Sequence, residues 1–295
     1  MSALADLDIV RRDIPVGPLT TYKLGGPASF YAEVGSRDEL DRVLGAWRQS
    51  QIPLLVLGRG SNLVVSDHGI DALVLRLTGS FNEVVQRPDG VWAGAAVRLP
   101  QLARAAVAAG RLGLEFYVGI PGSVGGAVRQ NAGGHGRETK DVLIEVSILD
   151  GRLGEVEVKA AGELDLRYRH SSVAAHQVVL DALFAFEPGE SEEGEARMRE
   201  ITRWRREYQP GGTLNAGSVF KNPPDDSAGR IIDSLGLKGL TVGDVSVSQK
   251  HANFFVAGPA ATAADLYRLV DEVRGIVVAK TGVELETEIQ FEGFS

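Results

Sequence analysis

Two loops of this 295-residue chain carry residue types that could do chemistry. Ser218 and Lys221 lie in a loop rich in glycine, asparagine and proline, where the serine could be a nucleophile, a proton donor or a hydrogen-bonded loop residue. Arg169 follows Tyr168 and could bind a carboxylate or phosphate through its planar guanidinium, although a surface or salt-bridged arginine is the commoner finding. No G-x-S-x-G motif surrounds Ser218, so the sequence does not favour an acyl-transfer hydrolase.

A run of alternating glutamates, Glu284, Glu286 and Glu288, lies near the end of the chain. In a strand, alternation places these side chains on one face and their apolar neighbours on the other. A solvated acidic face is the ordinary explanation, so the pattern alone selects no glutamate for chemistry. His251 could contact a ligand or serve as a structural hydrogen-bonding group. The histidines at 68, 135, 170, 176 and 251 lack metal-binding spacing, so the sequence predicts no catalytic metal.

Two glycine-rich segments are typical of backbone that approaches a ligand closely. Glycine makes up 36 of the 295 residues, above the usual share of ~7%. Successive N–H groups in such loops can form an anion-binding nest, although a tight turn also explains the first segment alone. Together the segments indicate a nucleotide whose diphosphate is bound from two sides. The candidate cofactor-binding residues are Gly58, Arg59, Gly60, Ser61 and Asn62, and then Gly119, Ile120, Pro121, Gly122, Ser123, Gly125, Gly126 and Asn131.

Neither glycine segment matches the common nucleotide-binding fingerprints. The P-loop pattern G-x-x-x-x-G-K-[ST] is absent from the sequence. Leu63 stands where the Rossmann pattern needs its third glycine. The sequence therefore predicts nucleotide binding by a different fold.

The composition excludes several classes of protein. The chain has no cysteine, which excludes disulfides, thiolate metal sites and cysteine nucleophiles. Its formal net charge is −8 with dispersed Lys and Arg, which argues against nucleic acid or an anionic membrane as a partner. We identify no signal peptide and no apolar run of the ~18 residues that a bilayer span needs. We expect a cytoplasmic protein that acts on small molecules, with no membrane insertion and no obligate protein partner evident.

Alternating helix and strand patterns must position these loops. Ser36 and Glu39 form an S-x-x-E capping box before an amphipathic helix, and Thr262 caps a second, longer one. Further helices are predicted at 100–110 and 196–208. Strands are predicted at 53–57, 72–77, 142–149, 178–186 and 283–291.

The most polar stretch of the chain, residues 187–195, predicts a domain boundary. It carries five glutamates and follows an apolar strand. We expect one subdomain at 1–52, which the last segment, 283–295, rejoins. A second subdomain is expected at 53–187 and a third part at 196–282.

The ordered motifs resemble the UDP-N-acetylenolpyruvoylglucosamine reductase family. The first half carries T-T-Y-K-L-G-G-P-A at 20–28, G-R-G-S-N at 58–62, G-I-P-G-S-V-G-G at 119–126 and Y-R-x-S at 168–171. The second half carries A-G-S-V-F-K-N-P at 216–223, G-R-I-I at 229–232, L-K-G at 237–239, V-S-x-K-H-A-N-F at 247–254 and L-E-x-E at 285–288. Each motif is weak alone, and the resemblance depends on their shared order across nearly the whole chain.

The resemblance implies an α+β protein with an FAD-binding fold of the vanillyl-alcohol oxidase (PCMH) type in two subdomains, plus an α/β substrate-binding domain. It implies non-covalent FAD, NADPH as hydride donor, and reduction of UDP-N-acetylglucosamine enolpyruvate to UDP-N-acetylmuramate in peptidoglycan precursor synthesis. Hydride added at C3 leaves negative charge at C2. By resemblance Arg169 faces that charge, Glu288 helps to hold the carboxylate, and Ser218 protonates C2. The implied substrate-binding residues are Tyr168, Tyr208, Lys221, Asn222, His251 and Asn253.

The chain also departs from the family pattern. Many members insert a tyrosine-bearing loop after Y-R-x-S, whereas here a strand follows almost directly, which is typical of a shorter type; Tyr208 is a candidate for the missing contact. Arg59 replaces a common middle glycine, Gln130 a usual methionine and Val245 a usual alanine. Two alternatives stay open: an FAD oxidase or dehydrogenase of the same fold, and a non-enzymatic protein that binds a nucleotide sugar.

Overall fold

The computed structural model describes residues 3–294, which divide into two compact units. Unit 1 comprises the residues up to Asp13, Ser29–Arg59 and Asp71–Trp204. Unit 2 comprises Ile14–Ala28, Gly60–Ile70 and the residues from Arg205 onward. Each unit has its own hydrophobic core, and each is assembled from segments distant in sequence.

Unit 1 is built on two sheets. In spatial order, the strands of the first are Val10–Pro15, Pro27–Val34, Ile70–Leu77 and Leu54–Val56. Those of the second are Val156–Ala160, Leu143–Asp150, Gln177–Phe184, Gly90–Gly94 and Val84–Arg87, and all neighbours are antiparallel. Two short antiparallel pairs join Gly133–Gly134 to Arg137–Glu138 and Arg111–Leu112 to Glu187–Pro188.

Four helices accompany these sheets: α1 (Arg37–Trp47), α2 (Leu99–Ala108), α3 (Val124–Gln130) and α4 (Ser191–Tyr208), whose last turn belongs to unit 2. Helix α1 begins where the Ser36 hydroxyl accepts the N–H of Glu39, which satisfies an otherwise unbonded donor. It buries the apolar face that the sequence period predicts, formed by Leu40, Val43, Leu44 and Trp47. The predicted Ser36 cap and the apolar face are confirmed. The second half of the predicted capping box differs, because the Glu39 carboxylate accepts the N–H of Gly35 rather than that of Ser36.

Unit 2 combines short strands with two helices, α5 (Ala228–Ser234) and α6 (Ala263–Thr281). Thr241–Val242, Val245–Val247 and Phe255–Ala257 form an antiparallel sheet, and Leu63–Val65 pairs in parallel with Gln290–Glu292. The Thr262 hydroxyl and the Asp265 carboxylate accept each other's backbone N–H at the start of α6, so the predicted cap is confirmed.

The stretch 187–195, predicted as a domain boundary, contains the start of a helix. Helix α4 begins at Ser191, whose hydroxyl donates to the carbonyl of Val107 over 2.8 Å. Gly194 lies so close to Val107 and Leu112 that a Cβ there would lie 2.8 Å from side-chain atoms of each. Two of its five glutamates, Glu192 and Glu193, lie in the first turn of this helix, where negative charge is stabilising.

The end of the chain also differs from the prediction. The regular strand there is Gln290–Glu292 rather than 283–291, and it pairs with Leu63–Val65 inside unit 2. The segment 283–294 therefore groups with the residues from Arg205 onward instead of rejoining 1–52. Residues 1, 2 and 295, which the predicted boundaries include, lie outside the described residues.

Candidate active site

Ser218 lies in a loop of unit 2 that two neighbouring segments hold in place. The N–H of Val219 donates to the carbonyl of Asn253, and the N–H of Glu288 donates to the carbonyl of Val219, each over 2.8 Å. Gly217 precedes the serine with a φ of +79°, which glycine adopts without steric cost. The Ser218 side chain is partly exposed. The structure thus brings two predicted catalytic residues, Ser218 and Glu288, to adjacent positions through the backbone.

The Asn253 side chain fixes the backbone next to this serine. Its amide nitrogen donates to the carbonyl of Phe220 over 2.8 Å, and its amide oxygen accepts the N–H of Phe220 over 2.9 Å. Both residues are buried, Asn253 at 2% and Phe220 at 0% exposure. The predicted contact of Asn253 with substrate stays a prediction, because the structure shows its amide engaged with the loop.

Glu288 differs from the two other glutamates of the alternating run. Glu284 and Glu286 are exposed, whereas Glu288 is partly buried. The amide nitrogen of Asn62 donates to the Glu288 carbonyl over 2.9 Å, so the end of the first glycine loop lies directly against this segment. Partial burial therefore distinguishes Glu288 from Glu284 and Glu286, which the alternating sequence pattern alone could not do.

Three further predicted substrate residues, Lys221, Asn222 and Tyr208, lie in unit 2. The ammonium of Lys221 pairs with the carboxylate of Glu286. The amide oxygen of exposed Asn222 accepts the N–H of Ala228 at the start of α5 over 3.1 Å. Tyr208 ends α4 with 48% of its surface exposed. Their contacts with substrate stay predictions.

His251 lies beside Asn253 and accepts a hydrogen bond from its backbone. Its Nδ1 accepts the N–H of Asn253 over 3.2 Å, and its ring packs edge-on against Phe254. Burial lowers the pKa of this imidazole, the charge of Lys238 lowers it further, and Asp233 opposes the effect. The structure thus favours the neutral ring.

Arg169 lies in unit 1 in an unusual backbone conformation. Its φ is +53°, a region that residues other than glycine enter rarely. The guanidinium donates to the carbonyl of Gly133 over 3.2 Å, lies 3.9 Å from a carboxylate oxygen of Glu138, and sits 4.9 Å from the centre of the Tyr168 ring. Only 16% of the side chain is exposed, so these contacts fix its direction.

Asn131 organises the backbone around Arg169. It is fully buried with a φ of +42° and ends helix α3. Its amide nitrogen donates to Glu138 over 3.1 Å and to the carbonyl of Arg167 over 2.9 Å, and its oxygen accepts the N–H of Lys140 over 2.9 Å. The predicted contact of Asn131 with cofactor stays a prediction, and the structure shows three bonds to the protein.

Parts of both glycine loops line one cavity of about 200 Å³ within unit 1. The predicted residues on its wall are Gly58, Arg59, Ser123, Gly125 and Gly126. The other polar and charged residues on the wall are Arg76, Thr78, Asn82, Arg98, Arg129 and Gln177. Four arginines and no acidic residue are therefore among the described residues that form the wall.

The remaining predicted cofactor residues lie elsewhere. Gly60, Ser61 and Asn62 belong to unit 2, and a Cβ at Gly60 would lie 2.7 Å from the backbone of Leu19 and Thr20. Gly119, Ile120, Pro121 and Gly122 lead into the cavity wall at Ser123 but are not part of it. Contacts of these residues with FAD stay predictions.

The cavity wall suits a nucleotide diphosphate. A Cβ at Gly58 would lie 2.5 Å from the Ser123 hydroxyl oxygen, so the two loops meet where no side chain fits. A Cβ at Gly126 would meet no neighbouring protein atom closer than 3.6 Å, so this position opens outward. A wall of glycine backbone with several guanidinium groups offers the donors that phosphate oxygens bind.

Sequence reasoning missed Arg76, Arg98 and Arg129 as wall residues. Arg76 had a readable signal, because it interrupts the apolar run that begins at Ala72 in the strand Ile70–Leu77. Arg98 directly precedes α2, and Arg129 lies in α3, where the sequence around them reads as ordinary helix surface. Their shared cavity depends on contacts between segments far apart in the chain.

Comparison with known protein families matches most of the chain. Residues 28–158 match the FAD binding domain, and residues 209–292 match the UDP-N-acetylenolpyruvoylglucosamine reductase C-terminal domain. The chain is 42% identical over 293 residues to UDP-N-acetylenolpyruvoylglucosamine reductase 2 of Symbiobacterium thermophilum, covering 99% of this chain and 95% of that one. It is 43% identical to the corresponding reductase of Acidiphilium cryptum over 95% of this chain and 90% of the relative.

A solved structure agrees with these sequence matches. The crystal structure of UDP-N-acetylenolpyruvylglucosamine reductase (MurB) from Thermus caldophilus superposes with a TM-score of 0.83 at 38% identity. The match covers 96% of this chain and 99% of that one. Together with the FAD binding domain, it confirms the predicted α+β FAD-binding fold with an additional C-terminal part. Within the described part of the chain, no helix is long and apolar enough to cross a membrane.

Proposed function

The chain belongs to the UDP-N-acetylenolpyruvoylglucosamine reductase family, and we propose that Ser218, Glu288 and Arg169 carry its chemistry. Membership makes it an FAD-dependent oxidoreductase that uses NADPH to reduce the enolpyruvyl group of a UDP-sugar in peptidoglycan precursor synthesis. When bound, FAD supplies the hydride that adds to C3 of that group. The residues then have to bind the substrate, stabilise charge and deliver one proton.

We place the diphosphate of FAD in the cavity of unit 1. Gly58, Ser123, Gly125 and Gly126 would hold it through backbone and hydroxyl groups, since their wall admits a ligand where side chains do not fit. The first loop continues into Asn62, which bonds the Glu288 carbonyl. The end of the cofactor loop is therefore hydrogen-bonded to the catalytic segment within unit 2.

The bond from the Glu288 N–H to the Val219 carbonyl is the single observation that carries the proton-transfer proposal. It places a carboxylic acid residue next to the serine whose loop Asn253 immobilises. Ser218 would donate its proton to C2, because a carbanion-like C2 is basic enough to take a proton from a hydroxyl group. Glu288 would hold the substrate carboxylate that shares the developing charge.

Arg169 would stabilise that charge through its guanidinium. Its side chain is largely buried and oriented by Gly133, Glu138 and the Tyr168 ring, which pre-organises a positive group. We propose Tyr168, Tyr208, Lys221, Asn222, His251 and Asn253 as the substrate-binding set. A cytoplasmic location is proposed on the same basis, since both substrates are cytoplasmic nucleotides.

The test separates the two half-reactions. Purified enzyme should carry FAD that denaturation releases, should lose its flavin colour on addition of NADPH without oxygen, and should regain it with the enolpyruvyl UDP-sugar. Ser218→Ala should keep the first step and slow product formation by ~10²–10⁴-fold. Ser234→Ala is the matched control, because the Ser234 hydroxyl bonds only its own helix at Ile231 among the described residues.

Three results would contradict the proposal. Near-normal product formation by Ser218→Ala would remove the serine from proton transfer. Reduced flavin that reoxidises with oxygen but never with the enolpyruvyl UDP-sugar would instead indicate an oxidase. A protein that binds the UDP-sugar but takes up no FAD would indicate the non-enzymatic alternative.

A further inference from the structure

Three guanidinium groups converge on the cavity of unit 1 with too few carboxylates to balance them. Arg59, Arg76 and Arg98 all line its wall. Within residues 3–294, neither Arg59 nor Arg98 forms an ion pair, and Arg76 pairs with Glu33. Like charges brought together in this way repel each other, so the arrangement is stabilised when an anion enters.

Arg76 is oriented by an ion pair with Glu33. One of its guanidinium nitrogens lies 3.2 Å from a Glu33 carboxylate oxygen, and the same oxygen accepts the Tyr31 hydroxyl at 2.5 Å. Tyr31 is buried, and this environment raises its pKa to about 12. The charge of Arg76 is thus anchored in the first sheet while its guanidinium faces the wall.

Arg59 is the member that the glycine loop does not require. Its neighbours Gly58 and Gly60 make the tight turn, and Gly60 takes the positive φ of +60° that the turn needs. Burial and the nearby charges of Arg98 and Arg76 lower the pKa of the Arg59 guanidinium. A long cationic side chain kept in that setting is explained by a ligand of opposite charge.

We propose that Arg59 and Arg98, with Arg76 oriented by Glu33, bind the diphosphate of FAD through their side chains. The inference rests on the placement of FAD in this cavity proposed above. It adds charged side-chain contacts to the backbone donors of the glycine loops. NADPH carries phosphates too, but the cluster shares its wall with both glycine loops, which favours the flavin.

The experiment measures FAD binding to the full-length apoprotein across a series of salt concentrations. Arg59→Ala and Arg98→Ala should each weaken FAD binding about tenfold or more at low salt, with a smaller difference at high salt, because screening removes the same attraction. Arg59→Lys should restore part of the affinity and of the salt dependence. Arg104→Ala is the control, since Arg104 is an exposed arginine of α2 whose side chain, among the described residues, bonds only the Pro100 carbonyl of its own helix.

A further variant separates this inference from the site proposal. Gly126→Leu would place an apolar side chain on the cavity wall, where a Cβ meets no neighbouring protein atom closer than 3.6 Å. If Gly126→Leu loses FAD while the arginine variants bind it normally, the arginine side chains do not bind the diphosphate. The placement of FAD in the cavity would still stand. Unchanged FAD binding by Gly126→Leu would refute the site, and the inference with it.

Two other outcomes would also overturn it. If the arginine variants lose FAD equally at all salt concentrations, the side chains act by shape rather than charge. If they keep FAD but need more NADPH for half-maximal flavin reduction, the cluster binds the reductant. Reduced FAD affinity that recovers with Arg59→Lys and diminishes with salt is the supporting result.

Discussion

Replacing Asn253 with alanine should destabilise unit 2 more than any other single polar change near the candidate active site. The Asn253 amide donates to and accepts from the backbone of Phe220. Asn253 and Phe220 are 2% and 0% exposed, so water does not reach these groups in the native fold. Alanine would leave one buried N–H and one buried carbonyl without their partners.

The magnitude follows from the two backbone groups left unsatisfied. Each buried group without a hydrogen bond costs about 1–3 kcal/mol, so the substitution should cost about 2–6 kcal/mol. Entry of a water molecule into the space of the lost amide would move the value to the lower end. Because a whole domain is stabilised by only about 5–15 kcal/mol, this is a large fraction of the total.

The assay is urea-induced unfolding followed by far-ultraviolet circular dichroism on the FAD-loaded protein. The control is Asn215→Ala, which removes the same type of side chain from the loop that carries Ser218. Asn215 also bonds backbone groups, at Pro210, Thr213 and Gly217, but it is partly exposed, so water can replace it. Its cost should stay below about 1 kcal/mol.

The Asn253 variant should also disturb catalysis in a selective way. The two hydrogen bonds between Asn253 and Phe220 hold the backbone beside Ser218. Without them, product formation should slow while flavin reduction by NADPH continues. Equal stability of the Asn253 and Asn215 variants would refute the reasoning, because it would mean that the Phe220 groups find other partners. Loss of both half-reactions together would show that the effect is not confined to the serine loop.

Other consequences of the structure can be measured directly. Because burial lowers the pKa of His251, the unfolded chain takes up a proton at higher pH than the native one. The free energy of unfolding should therefore fall as the pH is lowered from about 7.5 to about 5.5. His251→Gln should reduce this pH dependence, measured by urea titrations at each pH. Asn131→Gly should destabilise unit 1 through its lost hydrogen bonds, and Asn131→Ala by about 1 kcal/mol more, since alanine is strained at a φ of +42°. Identical unfolding midpoints for these two variants would mean that the left-handed backbone conformation at position 131 does not strain alanine. Tyr22→Phe should cost about 1 kcal/mol in thermal unfolding, because the buried hydroxyl donates to the Phe255 carbonyl over 3.1 Å.

Elements with local signals could be predicted from the sequence. Helix α1 and helix α6 each carry a capping residue, an acidic residue three positions later and an apolar face with helical period. These features act within a few residues of each other, so they are readable without knowledge of the fold. The same holds for Ile70–Leu77, whose apolar run predicts a buried strand.

Elements decided by distant contacts could not be predicted in the same way. The glutamate-rich start of α4 resembles a linker by composition, and only the packing of Gly194 on Val107 and Leu112 shows why a helix forms there. The segment 283–289 alternates like a strand, yet it runs beside the Ser218 loop through single backbone bonds such as Glu288 to Val219. An alternating pattern indicates which side chains are buried, but it does not indicate which segment the backbone bonds to.

The asparagines of the family motifs show the same limit at the site itself. Asn131 and Asn253 attract attention because polar residues in a motif often touch a ligand, but the structure engages both amides with buried backbone. Residue type cannot distinguish an amide that faces a ligand from one that holds the segment that does. The groups assigned to the chemistry are their neighbours, Ser218 beside Asn253 and Arg169 beside Asn131. In each case an amide side chain fixes the backbone next to the group proposed to react, so the motif marks the right segment but not which of its residues faces the ligand.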